Sequence, residues 1–272
     1  MGSKITLLLV IGFISTGANA ADFQIQKTRT ETEFGMVRGK ADAPLALIFT
    51  TDIADSLTDK FSSMGGALAK EGFTVASIDI PCHGKDIRKG EVPGLDCWRS
   101  RIEKTEGDLF APYAKKISDV VSQIIRDKYA SPSFIVAIGI SRGGYLAIRA
   151  AAADSRIQYI VAMAPVTDLQ VLEEFKGLPL DKRGFNLNPW YSALSNKSIF
   201  LQIGNSDDRV GTQAALDFLT GVVKAAGDRP VDITGLITPN KGHATARHDL
   251  AAQWIFSKAG LLGPNRSLFA AP

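Results

Sequence analysis

Histidine and cysteine are scarce in this chain, with three of the first and two of the second among 272 residues. Residues so few and so spread (His83, His243, His248, Cys82 and Cys97) provide no clustered His/Cys set of the kind that holds a structural or catalytic metal. The G-x-G-x-x-G fingerprint of a dinucleotide site is absent as well, so neither a metal nor an organic cofactor is implied. Charge of one sign is also missing: the formal net charge is only +3, with no long basic run. That argues against nucleic acid as the main partner. No internal repeat or low-complexity tract occurs, which excludes solenoid and linker readings. The longest apolar run, Ile5 to Ile14, is too short to span a bilayer comfortably.

That short run has a different reading. Lys4 precedes it, and Ala18-Asn19-Ala20 follows it before Ala21-Asp22. A positive start, a brief apolar core and an A-x-A site together predict a secretory signal peptide over residues 1–20, with no integral span after cleavage. Residues 21–272 then form the mature domain, exported to the periplasm or secreted, and long enough for one α/β domain with a large core. In an oxidising compartment Cys82 and Cys97 have two readings, a disulfide or two free thiols. A bridge across a loop of this size contributes roughly 3 kcal/mol in the chain-entropy model.

The stretch around which the rest is organised is Phe134 to Ala153. Phe134-Ile135-Val136-Ala137-Ile138 is a short apolar, partly β-branched run, the mark of a buried parallel strand. From Arg142 onward the chain is rich in Ala and Leu and predicts a helix. Between them lies Gly139-Ile140-Ser141-Arg142-Gly143, a G-x-S-x-G sequence in the strand–turn–helix setting that this motif requires. Such a corner has no room for side chains, so glycines at 139, 143 and 144 relieve it, and the serine projects beside a helix N-terminus whose free N–H groups can hold an oxyanion. Ser141 is the candidate nucleophile.

Strands and helices alternate along the remainder. Residues 22–44 predict exposed antiparallel strands at a sheet edge, and Leu45 to Thr50 the first buried strand. A helix opening at Asp55-Ser56 carries Leu57, Phe61, Met64 and Leu68 on one face. Thr74 to Ile80 predicts the next strand, Cys82 to Lys104 a loop, and 105–128 a long helix with Phe110, Tyr113, Ile117, Val120, Val121 and Ile124 on one side. Further strands are predicted at Ile157 to Ala162, Ser198 to Ile203 and 231–237, with helices at 212–226 and 246–259. Residues 168–196 break the rhythm, with Leu172, Phe175, Leu178, Phe185, Trp190 and Tyr191 among polar residues, and predict a small cap insertion. Alternation of this kind implies a mostly parallel sheet with helices on both faces, and ligands at the carboxyl ends of its strands.

A serine hydroxyl needs a base. His243, in Lys241-Gly242-His243 after the last strand, lies at such an end and follows the serine in chain order, whereas His248 falls in the final helix and His83 in the loop after Asp79-Ile80-Pro81. The acid that orients the imidazole is sought in Gly204-Asn205-Ser206-Asp207-Asp208-Arg209-Val210, after the strand Ser198–Ile203. Asp207 is placed first, Asp208 in reserve, and Asp168 as a second reserve.

The order Ser141, Asp207, His243, with the elbow and the G-x-x-D-x-x-V and Gly-His contexts, resembles the α/β-hydrolase superfamily over nearly all of the mature chain. Ser141-Arg142-Gly143-Gly144-Tyr145 and Ala164-Pro165-Val166-Thr167-Asp168 are most similar to its dienelactone-hydrolase-like and prolyl-oligopeptidase-like members. The resemblance makes Asp207 the acid, and Asp79-Ile80-Pro81-Cys82-His83-Gly84 resembles the superfamily's D-x-P-G-H-G loop with Cys82 in place of glycine. The usual His-Gly oxyanion loop reads Thr50-Thr51-Asp52 here. One oxyanion donor is therefore the Arg142 N–H and the other that of Thr51 or Asp52. The activity so implied is carboxylic ester hydrolysis of a small molecule through an acyl-enzyme. A small peptidase of the prolyl-oligopeptidase type comes second, since the N-terminal propeller of those enzymes has no room in this length, and a non-catalytic binding protein of the same fold comes third. The Arg142 side chain, a cation in a helix's first turn, is expected to be held by an acidic partner, with an anionic substrate group as the alternative.

Overall fold

The computed structural model describes residues 23–58, 63–105, 107–179 and 186–261. The sequence expectations for residues 1–20, for Phe61 and for Phe185 lie outside these. An eight-stranded sheet runs in the order β1-β2-β4-β3-β5-β6-β7-β8. Its strands are β1 (Gln24–Lys27), β2 (Glu33–Val37), β3 (Leu45–Phe49), β4 (Thr74–Ser77), β5 (Ile135–Ile140), β6 (Tyr159–Met163), β7 (Ser198–Ser206) and β8 (Asp232–Lys241). The pairs from β4 through β3, β5, β6 and β7 to β8 are all parallel, and β1 and β2 join antiparallel at one end. This is the α/β-hydrolase fold that the resemblance implied, with the mostly parallel sheet that the alternation of elements implied.

The helices are α1 (Ile53–Leu57), α2 (Met64–Lys70), α3 (Leu95–Lys104), α4 (Ala111–Arg126), α5 (Arg142–Ala153), α6 (Tyr191–Leu194), α7 (Thr212–Ala226) and α8 (His248–Lys258). The two faces of the sheet bury separate apolar clusters. One joins Phe49, Trp98, Phe110, Ile117, Val121, Tyr145 and Phe218. The other joins Ile48, Leu68, Phe73, Val136, Val161, Trp254 and Ile255. A sheet buried on both sides accounts for the continuous apolar runs of β3 and β5.

Four expectations need correction. The strand Glu33–Val37 is mostly buried, because β1 takes the edge and β2 pairs inward with β4. The single helix from Asp55 is two, α1 and α2; Asp52, not Asp55, caps the first by accepting the Asp55 N–H at 2.8 Å. The strand at Thr74 stops at Ser77, and both oxygens of the Asp79 carboxylate then serve the neighbouring loops, accepting the N–H of Ile53 at 2.9 Å and of Lys85 at 2.7 Å. The loop predicted from Cys82 to Lys104 contains α3, and the long helix begins at Ala111 rather than 105.

The α3 region is stitched to the β4 edge. Cys82 and Cys97 are joined by a disulfide, with their Cα atoms 6.0 Å apart. The Trp98 indole N–H donates to the Pro81 carbonyl at 2.7 Å. The buried Arg101 guanidinium pairs with Glu91 at 2.6 Å and with the Asp86 carboxylate. These bonds fix the segment 81–91 over the carboxyl edge of the sheet. Replacing both cysteines by serine is expected to remove about 3 kcal/mol, a fall in Tm of roughly 6–12 °C for a domain of this size. Calorimetry of wild type with and without reductant measures the same quantity, and an unchanged Tm would mean that the Arg101 network alone holds the loop.

Candidate active site

Ser141 stands between the end of β5 and the start of α5 with φ 54° and ψ −120°, a conformation that a non-glycine residue adopts only under constraint. The constraint comes from its neighbours. A Cβ at Gly139 would lie 2.1 Å from the Gly143 carbonyl oxygen, one at Gly143 1.9 Å from the Phe49 carbonyl oxygen, and one at Gly144 2.7 Å from the Pro165 Cβ. The first turn of α5 is thus pressed against the ends of both β3 and β6. The Ser141 N–H donates to the Met163 carbonyl at 3.0 Å, and its own carbonyl accepts from Val166 at 3.0 Å and Tyr145 at 3.2 Å. The backbone is held on every side while the hydroxyl makes no hydrogen bond to another described residue.

The contact of Gly143 with Phe49 sets the oxyanion side. It brings Thr50-Thr51-Asp52, the continuation of β3, against the start of α5. The Thr51 hydroxyl donates to Asp55 at 2.8 Å and its carbonyl accepts from Ile80 at 3.0 Å, which fixes the turn. The backbone N–H groups of Arg142, Thr51 and Asp52 have no partner among the described residues. Uncommitted donors at a helix N-terminus and an adjoining turn are suited to developing negative charge.

Asp207 and His243 meet because β7 and β8 pair past a bulge. The register runs to Gly204↔Thr238, shifts, and resumes at Ser206↔Lys241. The next residue on one strand is Asp207, and two beyond the other is His243; the Gly242 N–H donates to the Ser206 carbonyl at 3.0 Å. His243 Nδ1 lies 2.9 Å from Asp207 Oδ2. The Asp207 side chain is wholly buried, whereas that of His243 is 30% exposed, so the carboxylate supports the ring from inside while the ring reaches the cleft. The second carboxylate oxygen accepts the N–H of Arg209 and of Val210, each at 3.1 Å.

The reserve acids are elsewhere. Asp208 is exposed, one residue past the buried position. Asp168 caps the short turn Leu169–Val171 by accepting the Gln170 N–H at 2.9 Å, and burial raises its pKa. His83 is buried with Nδ1 3.1 Å from the Pro81 carbonyl oxygen, and burial is the chief cause of its lowered pKa. His248 opens α8 with its Nε2 buried and without a hydrogen-bond partner among the described residues, rather than at the surface.

A charged cluster beside Ser141 escaped the sequence reading. Arg209 grips both oxygens of Glu174, one of them at 2.8 Å, and Arg99 donates to the carbonyls of Glu174 at 2.7 Å and Lys176 at 2.9 Å. Its members lie 35 and 75 residues apart, so no local pattern announces them. The acidic partner expected for Arg142 is not found: its guanidinium has none among the described residues.

Comparison with known proteins bears on this arrangement. The family model described as prolyl oligopeptidase family matches residues 98–260, more than half of the chain. The chain belongs to the prolyl oligopeptidase family. No curated protein sequence matches it. Among solved structures it is similar to dipeptidyl peptidase 4 of Porphyromonas gingivalis, with 19% identity and a TM-score of 0.65 over 87% of this chain and 35% of that one. It is similar as well to the acylaminoacyl peptidase of Pyrococcus horikoshii, at 12% identity and TM-score 0.69 over 92% and 44%. Oligopeptidase B of Leishmania major has 14% identity and TM-score 0.60 over 88% and 36%. At such identities the likeness is one of fold, and the chain spans less than half the length of these three proteins. Membership in the prolyl oligopeptidase family does not carry the preference for esters that the sequence reading put first.

Within this family member the two adjacent aspartates offer a direct test. Asp207→Asn is expected to lower kcat by about 10⁴, since the amide cannot hold the imidazole in the working tautomer. Asp208→Asn should fall within a few tenths of wild type on a logarithmic scale. Steady-state rates for the two purified variants decide, and the reverse order would hand the acid role to Asp208.

Proposed function

We propose that this protein is a serine peptidase acting on the acyl–nitrogen bond of small peptide substrates through a Ser141–His243–Asp207 triad. Ser141 Oγ attacks the carbonyl carbon while His243 Nε2 takes its proton, and Asp207 stabilises the imidazolium. The N–H groups of Arg142 and Thr51 receive the oxyanion. As the C–N bond breaks, His243 passes the proton to the departing amine, leaving an acyl ester on Ser141. Water then attacks that ester with His243 as base, releasing the acid and restoring the serine.

The observation that carries this reading is the 2.9 Å contact between His243 Nδ1 and the buried Asp207 carboxylate, on the same sheet edge as the strained Ser141, in a chain of the prolyl oligopeptidase family. Carboxylic ester hydrolysis, the first reading of the sequence, would use the same groups with an alcohol leaving. Export through residues 1–20 is part of the proposal, supported by the Cys82–Cys97 disulfide, which persists in oxidising compartments.

A fluorophosphonate probe is expected to label wild type and not Ser141→Ala, with equal Tm for both proteins. Matched aminoacyl anilides and methyl esters then separate the bonds: anilide turnover abolished in Ser141→Ala supports the peptidase, ester turnover alone would make the protein an esterase, and an unlabelled wild type would end the hydrolase reading.

A further inference from the structure

Arg142 is placed where the protein offers its cation only the distant charge of Glu174 and, among the described residues, no hydrogen-bonded or ion-paired acceptor. It occupies the first position of α5, where the helix dipole disfavours positive charge. It is half-buried, and burial together with the nearby Arg209 charge works against its charged form. A guanidinium keeps its charge under such conditions and seeks an anion. Four carboxylates of this sheet edge already have partners. Glu174 gives both oxygens to Arg209, Asp207 holds His243, Asp52 caps α1, and Asp79 serves the N–H groups of Ile53 and Lys85. Five N–H donors are thus left without an acceptor among the described residues, one residue from the nucleophile.

The position also fixes which part of a substrate they can meet. The Arg142 side chain and its oxyanion-directed N–H leave the same residue. The oxyanion donors and the base lie on opposite sides of the acyl carbon, and the leaving group departs on the side of His243. A group that Arg142 reaches is therefore on the acyl portion, within one side-chain length of the scissile carbonyl.

We propose that the Arg142 guanidinium is a specificity determinant that binds a carboxylate carried on the acyl residue of the substrate, making this a hydrolase for acidic acyl groups such as glutamyl. The proposal rests on Ser141 being the nucleophile. Bidentate pairing with a carboxylate would supply the partner that the protein itself withholds.

N-acetyl-glutamyl and N-acetyl-glutaminyl 4-nitroanilide share shape and leaving group and differ in charge. Wild type is expected to favour the glutamyl compound by roughly 10–100-fold in kcat/KM, the range of a charge-assisted hydrogen bond. In Arg142→Gln the ratio should fall to near one, in Arg142→Lys part of it should return, and in Arg142→Glu it should invert. Taking the ratio within each variant cancels any loss common to both substrates, including damage to the oxyanion side. The same compounds are run as competitors of fluorophosphonate labelling, which reads binding when turnover is too slow to follow. Greater protection by the glutamyl compound in wild type but not in Arg142→Gln supports the site. Equal protection, or a ratio that Arg142→Gln leaves unchanged, overturns it while the nucleophile assignment stands. Loss of labelling itself would overturn the nucleophile reading and this proposal together.

Discussion

Crowding at the corner between β5 and α5 is the constraint on which the site depends. The helix must begin within one residue of the strand's end, so its first turn is driven into β3 on one side and β6 on the other. Glycine at 139, 143 and 144 removes the three Cβ atoms that would collide, and the strain that remains falls on Ser141. The same packing sets Thr50-Thr51-Asp52 against the start of α5, so the candidate nucleophile and the candidate oxyanion donors follow from one packing event rather than from separate devices. Relaxing the corner by even one methyl group would shift Phe49 and move both.

The proposed acid and base depend on a different constraint, the pairing of two strands at the far side of the sheet. Parallel strands place their carboxyl ends together only when their registers agree, and the bulge between Gly204 and Ser206 adjusts that agreement by one step. Asp207 then enters the interior with its carboxylate satisfied by two backbone N–H groups and by His243. An aspartate one residue later faces outward, because backbone progression past the turn rotates successive side chains apart. Two neighbouring aspartates therefore have unlike environments, and only the buried one can hold an imidazole.

These two constraints differ in how far the sequence reveals them. The elbow was legible because strand, glycines, serine and helix are contiguous, whereas the placing of Asp207 above Asp208 came from the resemblance of G-x-x-D-x-x-V to the superfamily's pattern. Helix α3 was obscured because its core-facing positions include Arg101, a charged residue that reads as surface until Asp86 and Glu91 are seen around it. Leu95, Trp98 and Ile102 do recur at helical spacing there, but Pro93-Gly94 and four charged neighbours dilute the signal. The shortness of β4 was hidden in the same way, since Asp79 breaks the ladder to serve two loops distant in sequence. The isolation of Arg142 could not be read at all: it is a statement about where every nearby carboxylate has gone.

The segment from Asp168 onward joins these themes. Its apolar residues Leu169, Leu172, Phe175, Leu178, Leu187 and Leu194 belong to the same core cluster as Phe49 and Tyr145. Its polar ties run from Glu174 to Arg209 and from the Glu174 and Lys176 carbonyls to Arg99. Lifting it away would expose that apolar surface, at about 25 cal/mol for each Å², and would strand a half-buried Arg209 beside Arg142. A segment anchored in this way does not act by swinging over the substrate. Its contribution is electrostatic: it pairs Glu174 with Arg209 and holds Glu174 in place through Arg99, so that this carboxylate acts on Arg142 through its charge and not through a direct bond.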